Sequence, residues 1–375
     1  MDGRIAELLS NHELIRRVLL QDYVRESIPT RSFEDFEQGL DHRETVDQTI
    51  AAALRDRLEE QEDPLPDLRG LLDDLMERIK SLVPSRSDLH AKFSIETPAT
   101  TTEELYRQTR HAARLLMQLE APVRSLTTKE WLQLSSPPLA TSLLYLLYKA
   151  DLCTQDKEDF YWETMFEPQI RQAGPEILRQ AFVAQYDRDP PLTRRWLASL
   201  ERQETPKRTF QKGFVHNLLL TQQAVELPEI FDKDRLRQLR HRIRLGTASS
   251  ALMQHVGGSV DAEALRVALT TPAANEETYR LGVVEVLRRG STRDDQFLLG
   301  QVQRVLQGED PVLKLLQKRF GAALEDKILN GKDSLEQRGL HSKELQATCQ
   351  QAQRWVDLTW ELYGDLFLRD MMAES

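Results

Sequence analysis

Residues 300–331 read Gly300-Gln-Val-Gln-Arg-Val-Leu-Gln-Gly-Glu-Asp310-Pro-Val-Leu-Lys-Leu-Leu-Gln-Lys-Arg-Phe-Gly-Ala-Ala-Leu-Glu-Asp-Lys-Ile-Leu-Asn-Gly331. The pattern predicts a short helix that stops at Gly308 and a long amphipathic helix that begins at Asp310-Pro311. Asp at an N-cap accepts hydrogen bonds from the unpaired N–H groups of the first turn, and Pro at the next position presets φ. Gly331 suits the left-handed conformation that follows a last helical turn. These signals describe folding and contain no catalytic chemistry.

Helical signals of the same kind extend along the whole chain. Apolar residues recur at spacings of three and four in nearly every segment, as in the stripe that Leu68, Leu72 and Leu75 begin. Aromatic residues make up only 7% of the chain, whereas Leu, Gln, Glu and Arg are abundant. Proline recurs where helices should begin, for example at Pro64 and Pro175. The sequence therefore predicts an all-α fold, either a multi-helix bundle or an irregular helical stack, of roughly fifteen to twenty helices.

The length of 375 residues exceeds the usual size of one hydrophobic core. Two packed lobes or one elongated stack are expected. Residues 199–213 are polar and charged and show no apolar stripe. They are predicted to connect an N-terminal helical bundle, 1–198, to a C-terminal helical bundle, 214–375. The alternative is a surface loop within one continuous domain.

The charge and hydropathy of the chain argue against some classes of binding partner. A formal net charge of −10 argues against a general binder of nucleic acid or anionic membranes, and no specific nucleic acid is expected. The most apolar run, 139–147, is too short for a transmembrane segment and is predicted to be a buried helix. The two cysteines form no recognisable disulfide framework, and the first residues do not resemble a signal peptide. A cytoplasmic location, or a nuclear one, is expected.

The sequence contains none of the motifs that organise a catalytic site. The eight histidines are scattered, and none pairs with another His or with Cys at metal-ligand spacing. There is no GxSxG elbow, no GxxxxGK[ST] loop and no GxGxxG turn after a strand. We therefore predict that the protein is not an enzyme and that it has no catalytic residue, no metal and no cofactor. A helical enzyme without a known motif stays as an alternative, which a deep pocket lined by several titratable groups would support.

One segment departs from the acidic character of the chain. Residues 201–244 contain ten Lys or Arg and six Asp or Glu, a net charge of +4. The densest part is 233–244, where Leu236, Leu239 and Ile243 would form a narrow apolar seam of a helix. The candidate partner-binding residues are the cations on either side of this seam: Lys233, Arg235, Arg237, Arg240, Arg242 and Arg244. They are either the solvated face of a packed helix or a docking surface for an acidic partner, a phosphorylated segment or an anionic lipid head group.

Four stretches of the sequence carry a resemblance to a known family. They are Asp63-Pro-Leu-Pro to Pro84; 143–180, with Tyr148-Lys-Ala-Asp151, Asp159-Phe-Tyr-Trp and Pro168-Gln-Ile-Arg171; Leu227-Pro-Glu-Ile-Phe231 with the helix start after it; and residues 300–331. In these stretches, and colinearly over most of its length, the chain resembles the T-complex protein 11 family of all-helical eukaryotic proteins, which includes a yeast suppressor of protein kinase A deficiency.

The resemblance implies a non-enzymatic, intracellular regulatory protein that modulates cyclic-AMP and protein kinase A signalling through protein–protein contacts. It provides no catalytic residues to transfer to this chain. The alternative function is a helical scaffold or tether that uses the basic helix, 233–244, on anionic lipid or cytoskeletal partners.

Overall fold

The computed structural model describes residues 2–25, 27–43, 45–83, 99–186, 190–219, 227–256, 260–272 and 275–372. Its helices, in chain order, are α1 (Asp2–Ser10), α2 (His12–Leu19), α3 (Phe33–His42), α4 (Val46–Glu60), α5 (Leu65–Leu82), α6 (Thr102–Met117), α7 (Pro122–Gln133), α8 (Leu139–Tyr161), α9 (Glu167–Tyr186), α10 (Pro191–Ala198), α11 (Pro206–Leu219), α12 (Lys233–Val256), α13 (Ala262–Thr270), α14 (Glu276–Arg289), α15 (Asp295–Leu306), α16 (Pro311–Asn330) and α17 (Lys343–Met372). A π-helical turn, Trp162–Phe166, joins α8 to α9, and a 3-10 turn, Glu336–Arg338, precedes α17.

The all-α prediction is confirmed. The described ranges contain no β-strand, and their helices fall within the predicted number. Among these helices, none combines the length and the apolar character that crossing a membrane requires. Pro84, the last residue of the first stretch that resembles the T-complex protein 11 family, lies outside the described residues.

The chain forms two compact units. One is Val24–Gln169, and the other combines Met1–Tyr23 with Ile170–Ser375. This division does not follow the predicted bundles 1–198 and 214–375. The predicted connector, 199–213, lies within the second unit, and its second half is the beginning of α11. It is no polar linker, because the fully buried ring of Phe210 lies 5.7 Å from that of Trp196.

The unit Val24–Gln169 is built around α5 and α8. The predicted stripe of α5 is buried, including Leu68, Leu72 and Leu75. The apolar run 139–147 lies within α8, and most of its side chains are buried, as predicted for a core helix. These helices supply most of one hydrophobic cluster, to which α6 adds Leu105 and Leu116.

In the other unit, α12 is the helix against which α11, α13, α15, α16 and α17 pack. The helix signals of 300–331 are confirmed in the structure. The Asp310 carboxylate accepts a hydrogen bond of 2.8 Å from the backbone N–H of Leu313, and α16 begins at Pro311. Gly308 and Gly331 adopt φ of 74° and 67°, which side chains disfavour. At both positions the chain leaves a helix in a left-handed backbone conformation that glycine adopts readily.

The helix start predicted at Pro175 is wrong. Pro175, which the sequence predicts at a helix start, lies inside α9 instead. The preceding Gly174 is buried, and a Cβ on it would lie 2.6 Å from Cγ2 of Ile15 in α2. The Gly-Pro pair therefore marks a close contact between helices rather than a helix start.

Candidate functional site

The basic helix predicted at 233–244 is the first half of α12. Its seam is confirmed, because Leu236, Leu239 and Ile243 are all buried. The seam separates the cationic side chains into two sets that face different parts of the same compact unit. The six predicted residues therefore do not form one surface.

The first set has structural partners. Arg235 forms an ion pair with Asp22 and a longer one, of 3.9 Å, with Glu13. Arg242 donates a hydrogen bond to the side-chain oxygen of Gln351 in α17. Lys233 is exposed at the first position of α12 and lines neither side. These three residues lie outside the groove described next.

The second set lines a groove of about 1240 Å³ between α11, α12 and α16. We call it the basic groove. Its cationic lining consists of Arg237, Arg240 and Arg244 of α12 and Lys314 and Lys318 of α16. Its apolar lining includes Leu218 and Leu219 of α11, Leu236 and Ile243 of α12, and Ala322 of α16. Two helical stripes of cations thus stand over an apolar floor.

A close approach of two helices shapes this floor. Gly321 of α16 is buried, and a Cβ there would lie 3.0 Å from Cδ1 of Leu219. That distance is shorter than ordinary van der Waals contact, so a larger residue would push α11 away from α16. The glycine keeps the end of α11 against α16, at the edge of the groove.

The charges of the basic groove are poorly compensated. Five Lys or Arg residues line it against a single carboxylate, Glu325. Within the described part of the chain, Arg244, Lys314 and Lys318 form no ion pair. Arg237 pairs with Asp234 at 2.9 Å, but both side chains are largely exposed, and such surface pairs contribute little. The groove is therefore a cationic site on a protein whose net charge is −10.

Arg240 has the most restricted position of these cations. It donates a hydrogen bond to the backbone carbonyl of Asn217, in the last turn of α11. Its Nε is buried and has no hydrogen-bond partner among the described residues, and neither has Nδ2 of Asn217. Burial lowers the pKa of the Arg240 guanidinium, and no carboxylate among the described residues raises it again. Arg240 thus holds a partly desolvated positive charge next to donors that lack partners among the described residues.

The sequence prediction omits Lys314, Lys318 and Asn217, which also line this groove. Lys314 and Lys318 are spaced four apart, so they share one face of α16, and this spacing is visible in the sequence. What the sequence does not reveal is that this face lies opposite Arg240 and Arg244. Asn217 gives no signal, because an Asn near a helix end is common.

The lining of the basic groove is suited to binding an anion and to apolar contact. The described residues contain no group of three or more His, Cys, Asp or Glu side chains that could hold a metal ion. Cys153 and Cys349 are both buried and unpaired, and burial raises the pKa of each thiol to about 12. A thiol with such a pKa is not ionised near neutral pH and is a poor nucleophile.

The chain matches no protein-family model, no curated protein and no solved structure. The resemblance to the T-complex protein 11 family therefore rests on the four stretches of sequence described above.

Proposed function

We propose that this chain is a non-enzymatic regulatory protein that acts through protein–protein contacts, and that the basic groove binds its partner. The observation behind this proposal is the set of uncompensated cations, Arg240, Arg244, Lys314 and Lys318, above an apolar floor. An acidic and partly apolar segment of another protein matches both features. Its carboxylates would meet the cations while its apolar side chains cover the leucines.

The pathway is a proposal based on the resemblance. We infer that the chain belongs to the T-complex protein 11 family and that its partner is a component of cyclic-AMP and protein kinase A signalling. The two buried, unpaired cysteines support a reducing compartment. We therefore propose that it acts in the cytoplasm or the nucleus.

The shape of the groove favours a protein segment over a lipid surface. The Arg240 guanidinium is partly desolvated and donates to the backbone of α11, so it is less exposed than the other Arg and Lys residues of the groove. A segment that enters between the helices can reach this residue, whereas a flat bilayer meets the protruding side chains first. Binding to anionic lipid is therefore an outcome of the test below and not our proposal.

The test compares two double charge reversals on α12. Arg237→Glu/Arg244→Glu alters the groove, and Lys233→Glu/Arg242→Glu makes the same change in charge outside it. The tagged full-length chain is purified from its native cells in each form. We expect protein kinase A pathway subunits with the wild type and with the control variant, and about tenfold or greater loss with the groove variant.

Two results would contradict the proposal. One is retention of the same partners by the groove variant. The other is sedimentation with vesicles of phosphatidylcholine and phosphatidylserine that high salt abolishes and that the groove variant lacks, without any protein partner. That second result would identify a lipid tether.

A further inference from the structure

We propose that the basic groove recognises a phosphorylated serine or threonine within the acidic segment of its partner, and that Arg240 and Asn217 form the phosphoryl subsite. This inference rests on the proposed function, because it assigns a ligand chemistry to the same groove. It makes the interaction dependent on phosphorylation of the partner, which an acidic docking surface alone would not require.

The first argument is the pair of unsatisfied donors. Asn217 is only 7% exposed and lines the groove, and its Nδ2 has no acceptor among the described residues. Arg240 belongs to the same lining, and its Nε also lacks an acceptor in the described part of the chain. Buried donors without partners are rare and unfavourable in folded proteins. A ligand that supplies oxygen acceptors at this point would satisfy both.

The second argument is a contrast within α12. Arg235 lies five residues before Arg240 and is paired with Asp22 and Glu13, so its charge is already neutralised by the protein. Arg240 forms no ion pair with a carboxylate of the described residues, and burial is what lowers its pKa. Arg235 thus has anionic partners within the protein, whereas Arg240 has none among the described residues.

The third argument is the charge and geometry of a phosphoryl group. A phosphoserine has a charge of about −1.5 to −2 at pH 7 and three acceptor oxygens. A carboxylate has one negative charge and two oxygens. A guanidinium binds phosphate through two parallel hydrogen bonds, while Arg244 of α12 and Lys318 of α16, which line the same groove, add positive charge. Because its Nε is covered, we expect the Arg240 side chain to turn when the phosphoryl group binds.

The fourth argument concerns the rest of the ligand. The groove is larger than the roughly 300–1,000 Å³ that is usual for small-molecule sites. Leu219, Leu227 and Ala322 line the groove and are only half-buried, so a free phosphate or a sugar phosphate would leave their apolar surface exposed. A peptide provides an anionic group and apolar side chains on one segment.

The experiment uses the full chain and two degenerate peptide libraries. Both have flanks drawn from Glu, Asp, Leu and Ala, and the central residue is phosphoserine in one and serine in the other. We expect the phosphorylated library to bind about ten- to a hundredfold more tightly. Arg240→Lys, which keeps the charge but not the bidentate geometry, and Asn217→Asp, which replaces donors by acceptors, should bring this ratio close to one. Lys233→Glu/Arg242→Glu should leave the ratio unchanged.

The outcomes separate the inference from the proposed function. Equal binding of both libraries, lost in Arg237→Glu/Arg244→Glu, overturns the phosphoryl subsite and supports acidic docking. A phosphate preference that survives both Arg240→Lys and Asn217→Asp also overturns the subsite. Binding of neither library overturns the inference, and the purification from cells then decides the proposed function. Binding only to phosphatidylcholine vesicles that contain phosphatidylinositol bisphosphate would assign the site to a membrane instead.

Discussion

Lys149 is the most unusual single residue of the unit Val24–Gln169. It lies in the middle of α8, is fully buried, and its Nζ lies 2.9 Å from Oε1 of Glu120. The same ammonium donates hydrogen bonds of 2.8 Å to the Arg124 carbonyl and 2.9 Å to the Thr127 hydroxyl. All three of its donors therefore have acceptors on or next to α7. Such a pair costs desolvation, and its hydrogen bonds and ion pair join α8 to the α7 region.

We predict that Lys149→Met lowers the free energy of unfolding by about 3–5 kcal/mol at pH 7, because it leaves the Glu120 carboxylate buried without its counter-ion. The double variant Glu120→Gln/Lys149→Met should recover more than half of this loss, since the introduced amide oxygen would still accept from Thr128 without a charge. Urea unfolding followed by circular dichroism measures both. Equal losses in the single and the double variant would show that packing, and not charge, decides the cost.

The pH dependence follows from the direction of the Glu120 shift. Burial raises the pKa of this carboxyl more than Lys149 and Thr128 lower it. A carboxyl with a raised folded pKa contributes stability that is complete below its unfolded value, about 4.3, and lost as pH rises through the folded value. Removing Lys149 raises that pKa further. We therefore expect the deficit of Lys149→Met to grow from pH 4 to pH 8, with no such growth in the double variant.

At the scale of the helix, the sequence predicts features that depend on neighbouring residues. It does not reveal contacts between residues that are distant in sequence. The ends of α15 and α16 can be predicted because Asp310, Pro311 and Gly331 act within one turn of the backbone. The helical start at Pro206 is missed because charges at Lys207, Arg208 and Lys212 surround a buried Phe210. Several buried residues of α11, such as Thr209, Gln211 and Asn217, are polar, so the first half of this helix resembles a polar linker in sequence.

The candidate site shows the same limit. The seam of α12 follows from periodicity, and it divides the arginines into two sets. Nothing local distinguishes Arg235, which meets Asp22 from the start of the chain, from Arg240, which meets Asn217. The partners come from distant parts of the sequence. The sequence therefore predicts the cationic residues of α12, but it does not predict which of them line the groove.

The packing of α12 on α17 gives a prediction with a matched control. A Cβ on the buried Gly246 would lie 2.6 Å and 2.8 Å from Cδ2 and Cγ of Leu345, while a Cβ on Gly282 of α14 would meet nothing within 4 Å. We expect Gly246→Ala to lower the free energy of unfolding by about 1–3 kcal/mol through overpacking. Gly282→Ala should raise it by about 0.4–1 kcal/mol through helix propensity and reduced chain entropy. Thermal unfolding decides this, and a stabilised Gly246→Ala would contradict the close packing of α12 on α17.

At the scale of the whole chain, each compact unit has a core of its own. Val24–Gln169 encloses the cluster of α5, α6 and α8 and the Glu120–Lys149 pair. The other unit contains an aromatic cluster that draws on residues far apart in sequence. Its ring pairs are Trp196–Phe210, Trp196–Phe231, Phe210–Trp360, Phe214–Phe231 and Phe214–Trp355. A cut near residue 213 would divide this second cluster, while the first would be untouched.

We predict that the fragment 24–169 folds alone and that the fragment 214–375 does not. The first retains every residue of its hydrophobic cluster, whereas the second loses Trp196 and Phe210 and exposes Phe214, Phe231 and Trp355 to water. We expect 24–169 to unfold cooperatively in urea and to give dispersed amide signals by nuclear magnetic resonance. The fragment 214–375 should aggregate or show a non-cooperative transition, and the fragment 170–375 joined to residues 1–23 by a Gly/Ser linker is the control that restores the cluster. A cooperative transition in 214–375 would show instead that the boundary at 199–213, expected from composition, is a true domain boundary.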